Sequence, residues 1–200
     1  MKIKSFTFAL VSVAALGLLA FTTPAPVSFT VDSKSSTLVW KGKKVTGEHT
    51  GTVQVSAGEL TVDGKTIKKG SFEIDLTTIT NTDLTDKGYN EKLVGHLKSD
   101  DFFGVAKFPK ASFVVGSVTA KSGNEYTVNG KLTIKGKTNE IEFPATILVE
   151  GKQVTASAKI VVDRAKYDIR YGSKSFFDNL GDKVIYDDFE LDLKLVATAK

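Results

Sequence analysis

The amino-acid sequence predicts an all-β fold, a single antiparallel β-barrel of about eight strands with one short helical excursion. From Ser28 onward, apolar and polar residues alternate with a period of two, which is typical of strands with one buried face. Short glycine-containing turns separate these runs, as in neighbouring antiparallel strands. So many strands must cover their common apolar face, and they do so by closing into a barrel or by forming a sandwich.

The N-terminus predicts a secretory signal peptide over residues 1–25, with cleavage somewhere between residues 20 and 28. Lys2 and Lys4 precede FTFALVSVAALGLLAF, an uncharged run of 16 residues. This run is shorter than the roughly 20 residues that a membrane span needs. We therefore expect a periplasmic or secreted protein whose mature chain has no transmembrane segment, with an uncleaved N-terminal anchor as the alternative.

The composition limits the chemistry of the chain. Hydrophobic residues make up 41% and charged residues 25%, values typical of a globular domain rather than a disordered chain. The sequence has no cysteine and only two histidines, His49 and His96, neither with a partner at ligand spacing. Its lysines are scattered and form no aromatic-basic cluster. No metal, cofactor or nucleic-acid partner is therefore predicted.

The alternation is clearest in the C-terminal half. Residues 111–162 contain four alternating runs separated by the Ser122-Gly123-Asn124, Gly136–Asn139 and Glu150-Gly151 turns, and this predicts a four-stranded meander. Pro144 interrupts the third run, where we expect an edge or a bulge because proline cannot donate to the ladder. The other predicted strands are Leu38–Thr46, Thr50–Val55, Leu60–Val62, Lys65–Leu76 and Val184–Ala197.

One segment departs from the two-residue period. Residues 83–98 carry Leu93, Val94 and Leu97 at helical spacing, and Asn90 is a candidate N-cap. The phenylalanine-rich segment SDDFFGVAKFP follows directly. We expect this excursion to close one end of the barrel.

The interior of such a barrel is either filled by side chains or holds one small ligand. About 175 residues remain after a signal peptide of 25 residues is removed from 200, which is long for a small filled barrel. Phenylalanine is abundant, with 13 residues. Composition alone leaves a plain packed core as an open alternative. The phenylalanines expected on the inner face are Phe72, Phe113, Phe143 and Phe189.

No constellation predicts catalysis. Asp100-Asp101 and Asp187-Asp188 are adjacent in sequence, and neighbours on a regular strand point to opposite faces. An outer-membrane barrel is also disfavoured, because a lipid-facing band excludes charge. An immunoglobulin-like sandwich would not need the helical excursion. The charges expected on the outer face are Glu140, Glu142, Lys159, Asp192 and Lys194.

Two blocks, HLKSDDFFGVAKFPKASF (96–113) and VNGKLTIKGKTNEIEFPA (128–145), carry a resemblance to a known family. With VDRAKYDI and the closing run LGDKVIYDDFELDLKL, they resemble the YceI-like family of lipocalin-like, polyisoprenoid-binding periplasmic proteins. The resemblance covers residues 28–199, the predicted barrel domain. Lys135 departs from it, because the family often has a histidine there.

The resemblance implies non-catalytic binding or carriage of an amphiphilic lipid, a polyisoprenoid or fatty-acid derivative, in the apolar interior, and it leaves a homodimer open. Its polar head would stay near the mouth, where Arg164 is the candidate contact. The alternative is a structural module of the cell envelope with a filled core. The remaining predicted ligand-binding residues are Trp40, Phe72, Ile74, Leu93, Leu97, Phe102, Phe103, Phe113, Tyr126, Leu132, Phe143 and Tyr167.

Overall fold

The computed structural model describes residues 25–200, so the predicted signal peptide lies outside the described residues except for Ala25. This part of the chain forms nine strands and one α-helix, α1, which spans Lys87–Lys98. The strands are β1 (Val27–Val31), β2 (Thr37–Lys44), β3 (Gly47–Asp63), β4 (Thr66–Asp75), β5 (Lys110–Ala120), β6 (Glu125–Ile134), β7 (Lys137–Glu150), β8 (Gln153–Asp163) and β9 (Ile185–Ala199).

The strands close into one antiparallel barrel, which confirms the predicted fold class. Strands β2 to β9 pair in chain order, and β9 pairs back with β2. Strand β1 also pairs with β3 and β9, so it continues the position of β2 in the ring. The barrel therefore has eight strand positions, one of which is shared by β1 and β2.

Strand β3 corrects one detail of the prediction. The sequence indicates two strands, Thr50–Val55 and Leu60–Val62, but residues 47–63 form one strand. Its register against β4 shifts between Val55 and Ala57, a bulge that inverts the alternation. Before the bulge the buried residues are odd-numbered, and after it they are even-numbered. The sequence pattern of this single strand therefore resembles that of two separate strands.

The meander of β5 to β8 forms as predicted. Pro144 sits in an unshifted register opposite Thr127 of β6. On the other side, pairing with β8 begins only at Ala145. Within the described chain, the part of β7 before Pro144 is therefore a local edge without a neighbouring strand on that side. The N–H that proline lacks would have no strand partner there, so no ladder hydrogen bond is lost.

The two ends of the barrel differ. One end has short turns at Gly64, Gly123 and Gly151, all with left-handed φ near 60°. At the other end, here called the helix end, two long segments cross the opening: residues 76–109, which contain α1, and residues 164–184. We call these two segments the cap. Residues 76–109 include the excursion that the sequence predicts to close one end, whereas the second segment, residues 164–184, is not predicted.

Helix α1 is shorter than the predicted segment and has a different cap. Asp86 is the N-cap, and its carboxylate accepts a hydrogen bond from the Tyr89 amide at 2.9 Å. The prediction of Asn90 as the cap is wrong. The Asn90 side chain instead donates to the carbonyl oxygens of Asn81 and Leu84 and ties α1 to the segment before it. No helix within residues 25–200 is long and apolar enough to cross a bilayer.

The buried residues follow the predicted alternation, and the predicted outer charges are all exposed. The turn end is filled, because Phe29 of β1 packs with Leu60, Val62 and Ala197 at exposures of 4% or less. The turn end of the described barrel is therefore a packed apolar core.

We expect Phe29→Ala to lower the free energy of unfolding by about 3–5 kcal/mol, since it empties a packed site. Denaturant unfolding measures this, and Val161→Ala, at a side chain 60% exposed, is the matched control. A loss below about 1 kcal/mol for Phe29→Ala would contradict the role of β1 in closing the turn end.

Candidate binding cavity

The interior of the barrel contains a cavity next to the helix end. Its volume is about 140 Å³, and its surface is almost wholly apolar. It lies between the barrel wall and the two cap segments. The residues that line it are Leu38, Trp40, Gly42, Val53, Ile74, Leu76, Ile79, Leu97, Phe102, Phe103, Ala111, Leu132, Ile134, Arg164, Ile169, Ile185, Tyr186, Phe189 and Leu191.

A second cavity of about 90 Å³ lies deeper along the barrel axis, and its lining is also apolar. The two cavities share Leu38, Ile74, Leu132 and Leu191, so they are neighbours along the axis. An apolar cavity of about 150 Å³ can hold one benzene molecule. On that scale the two cavities together accommodate about nine carbon atoms.

Ten of the thirteen predicted site residues line these cavities. Whether they contact a ligand stays a prediction. Those on the outer part, nearer the helix end, are Trp40, Ile74, Leu97, Phe102, Phe103, Leu132 and Arg164. Those on the deeper part are Phe72, Phe113 and Phe143, again with Ile74 and Leu132.

Three predicted residues lie elsewhere. Leu93 is half-buried on α1, away from both cavities. Tyr126 packs against the core near the turn end of β6. Tyr167 is 1% exposed in a 3-10 helix, where burial raises the pKa of its unpartnered hydroxyl to about 12. None of the three lines the cavities: Tyr126 lies at the packed turn end, Leu93 lies on α1, and Tyr167 lies in the second cap segment.

Sequence reasoning missed several lining residues. Gly42 follows Trp40 by two positions, so the two-residue period of a strand places both residues on the same face. The sequence predicts Phe189 on the inner face but does not mark it as a site residue. Ile169 and Ile185 come from the cap and the start of β9, and no local pattern in the sequence marks them.

Arg164 is a structural clamp. Its guanidinium is buried and donates to the carbonyl oxygens of Ile169, Tyr171, Ile185 and Tyr186 at 2.9–3.2 Å. Burial lowers its pKa, while the carboxylates of Asp187 and Asp163 act in the opposite direction. A lipid head group could reach Arg164 only by displacing one of these carbonyls. Its main role in the structure is to hold the cap to β9.

Trp40 is fixed by its surroundings. Its indole Nε1 donates to the carbonyl oxygen of Thr80 at 3.0 Å. Gly51 lies opposite Trp40 in β3, and a Cβ there would lie 1.9 Å from the same oxygen. Glycine is therefore required for the indole to pack against the barrel wall. Trp40 is also the only tryptophan of the chain, which makes it a built-in fluorescent reporter of the cavity.

A polar network anchors the first cap segment to β3. His49 Nδ1 lies 2.7 Å from Asp83 Oδ2, and the Thr50 amide donates to Asp83 Oδ1 at 2.8 Å. Burial opposes ionisation of Asp83, but hydrogen bonds from His49, Thr50 and Asn81 lower its pKa on balance. His49 is thus held by the cap.

Of the two adjacent carboxylate pairs, Asp187-Asp188 lies on β9 and separates as expected, whereas Asp100-Asp101 lies in a turn rather than on a strand. Asp187 lies 3.3 Å from Arg164 Nη2 and accepts a hydrogen bond from Ser175 Oγ at 2.7 Å, whereas Asp188 is exposed. Asp100 pairs with Lys107, and Asp101 lies 3.2 Å from His96 Nε2. No group of three metal-ligating side chains forms within residues 25–200.

Comparison with known sequences finds a match to the family model described as "YceI-like domain" over residues 29–197. A "UPF0312 protein" of Shewanella denitrificans is 33% identical over 95 residues, 48% of this chain and 47% of the relative. A "Protein YceI" of Salmonella arizonae is 34% identical over 101 residues, 50% of each chain. The match thus spans about half the length of these curated relatives.

Solved structures share the fold. Burkholderia cenocepacia BcnA has a TM-score of 0.61 at 24% identity, covering 84% of this chain and 99% of that one. A polyisoprenoid-binding domain from Saccharophagus degradans, described as implicated in plant cell wall breakdown, has a TM-score of 0.62 at 16% identity, with coverages of 87% and 99%. At these identities the likeness concerns the fold alone.

Gly42 and Gly51 offer a matched pair of substitutions on neighbouring strands. We expect Gly51→Ala to lower the free energy of unfolding by about 2 kcal/mol or more, because its Cβ would overlap the Thr80 carbonyl. Gly42→Ala meets nothing within 4 Å and should raise it by about 0.5 kcal/mol. Equal effects in thermal or denaturant unfolding would contradict the geometry described for Trp40.

Proposed function

Since the chain belongs to the YceI-like family, we propose that it binds and carries an apolar or amphiphilic small molecule in its barrel, without catalysis. One observation carries the proposal: the apolar space that runs along the barrel axis at the helix end. The alternative, a structural module of the cell envelope with a filled core, does not require this apolar space.

The physical chemistry of the lining selects apolar chains. Burying about nine methylene-sized groups gains about 7 kcal/mol at 0.8 kcal/mol each, before the entropic cost of association. A polar ligand would gain nothing here, because its hydrogen bonds to water would be lost without replacement. The ligand therefore enters with a hydrocarbon tail.

We propose a polyisoprenoid or similar long-chain lipid as the ligand class. Support comes from the structural relative whose description names polyisoprenoid binding. A long chain exceeds the described cavities, so its binding requires half-buried rings to turn aside. Phe72, Phe103, Phe113 and Phe189 are of this kind, each partly buried against the core.

We also propose that the protein works in the periplasm or is secreted. The support is the sequence of residues 1–25, with its basic start and short apolar run. A homodimer, which the resemblance raises, stays a prediction.

Trp40 fluorescence provides the test of ligand binding. We expect geraniol and decanol to change its emission saturably, because the indole lines the cavity. Gly42→Leu places a side chain in the same space without a clash at Cβ and should weaken binding at least about tenfold. Val39→Leu, on the outward face of the same strand, is the matched control and should bind as the wild type does.

The same titration can overturn the proposal. Absence of saturable binding to a panel of isoprenoid and alkyl alcohols, together with ligand-free protein in native mass spectrometry after gentle extraction, would favour the structural-module alternative. Equal affinities for wild type and Gly42→Leu would place the ligand outside the cavity.

A further inference from the structure

The wall of the barrel is not hydrogen-bonded along its whole length. The pairing of β7 with β8 stops at Ala145 and Ala158. Beyond these residues, 137–144 of β7 still pair with β6, and 159–163 of β8 still pair with β9, but the two stretches do not pair with each other. We call this unpaired part of the wall, which reaches to the helix end, the seam.

One side chain bridges the seam. Asn139 Nδ2 of β7 donates to the carbonyl oxygen of Lys166, just after β8, at 3.0 Å. Within residues 25–200, no other hydrogen bond joins 137–144 to 159–167. A paired part of the wall can open only by losing a run of ladder hydrogen bonds, each with its own cost. The seam has no ladder to lose, so the wall between β7 and β8 opens most easily there.

The seam borders the deeper of the two interior cavities. Ile141 and Phe143 on β7 and Ile160 on β8 all line that cavity. Phe143 and Ile160 are each 8% exposed, so side chains rather than paired backbone close the wall at this point. Displacing these side chains would connect the deeper cavity with the outside.

The outer lip of the seam is apolar as well. Val161 follows Ile160 on the outward face of β8 and is 60% exposed, the highest value among the large aliphatic side chains of the described chain. Pro144, exposed on the outward face of β7, lies where the pairing ends. A hydrocarbon chain arriving from outside therefore meets apolar surface on the lip before it reaches Phe143 and Ile160.

The two ends of the barrel are closed more firmly than the seam. At the helix end, Arg164 holds the cap to β9 through hydrogen bonds to four carbonyl oxygens, and Asp83 holds the cap to β3. At the turn end, Phe29 and Leu60 belong to a packed core and are 3% exposed or less. Passage through either end would break buried hydrogen bonds or unpack this core.

A second gap, between β4 and β5, differs from the seam. Pairing there stops at Ser71 and Val114, towards the turn end. A Cβ on Gly70 would lie 2.8 Å from Val115 Cγ2, so the valine side chain packs directly against the glycine backbone. Neither residue lines either interior cavity. This gap is therefore filled and leads to no cavity.

We propose that the seam between β7 and β8 is a lateral opening through which the hydrocarbon chain of the ligand reaches the interior. The chain passes between Phe143 and Ile160 into the deeper cavity, while the cap stays in place. This inference rests on the proposed function and adds the route of entry and the side chains that close it.

Crosslinking the seam tests the route. The chain has no cysteine, so the pair Glu142→Cys/Val161→Cys can be joined by a short bismaleimide without reaction at other thiols. Both residues are exposed, and the register continued beyond Ala145 and Ala158 sets them opposite each other. In stopped-flow Trp40 fluorescence, we expect the crosslinked protein to bind and release decanol at least about tenfold more slowly. The dissociation constant should stay unchanged, because the crosslink blocks the route and not the cavity.

The control joins strands that are already paired. Val114 and Lys131 are exposed register partners on β5 and β6, and the crosslinked pair Val114→Cys/Lys131→Cys should keep the wild-type rates. A wild-type association rate in the seam-crosslinked protein, with decanol still bound, would overturn the lateral route and leave the cavity proposal intact. If decanol does not bind to the wild type at all, the proposed function fails and the route fails with it.

A second pair of variants needs no crosslink. Asn139→Ala removes the hydrogen bond across the seam, and we expect it to raise the association rate of decanol at least about threefold, because the seam then opens more readily. Thr138→Ala is the matched control, since the Thr138 hydroxyl bonds to that of Thr133 across the paired strands β6 and β7. It should keep the wild-type rate. Equal rates in the two variants would contradict the lateral route.

Discussion

Closure of the sheet is the constraint from which the rest of the structure follows. Once β9 pairs with β2, every second side chain must point to one common axis. The space around that axis is set by the number of strands, and the side chains have to fill it. They do so at the turn end, where β1 brings Phe29 and Val31 into the ring. At the helix end, apolar space remains.

The cap closes this apolar space at the helix end. Arg164 holds residues 169–171 against β9 through four carbonyls, and Asp83 holds the other cap segment against β3. Both anchors are polar groups whose hydrogen bonds are made inside the protein, which makes them costly to break. Tyr171, by contrast, is half exposed and rests on other rings. The cap is thus held by fixed polar anchors, whereas Tyr171 contributes a half-exposed aromatic contact.

The sequence predicts the barrel well because its signal is local. Alternation along β7, β8 and β9 identifies the inner face residue by residue, and ten of the thirteen predicted site residues line the cavities. The prediction fails where a structural feature is not local. Because of a bulge, the sequence pattern of β3 resembles that of two strands. Asp86 is the N-cap of α1, although Asn90 is an equally suitable residue type.

Arg164 shows the same limit at the site. Nothing near it in sequence reveals that its partners include Ile185 and Tyr186, about twenty residues further along the chain. The hollow itself has no sequence signature, because it depends on how much volume the inward side chains leave together. Counting phenylalanines could not distinguish a filled interior from an open one.

A crystal of the protein equilibrated with xenon would test the hollow interior most directly, since xenon enters apolar cavities of this size. The account predicts xenon density between Trp40, Leu132 and Phe189, without movement of the barrel strands. An interior free of xenon, with side chains closed over that space, would contradict it.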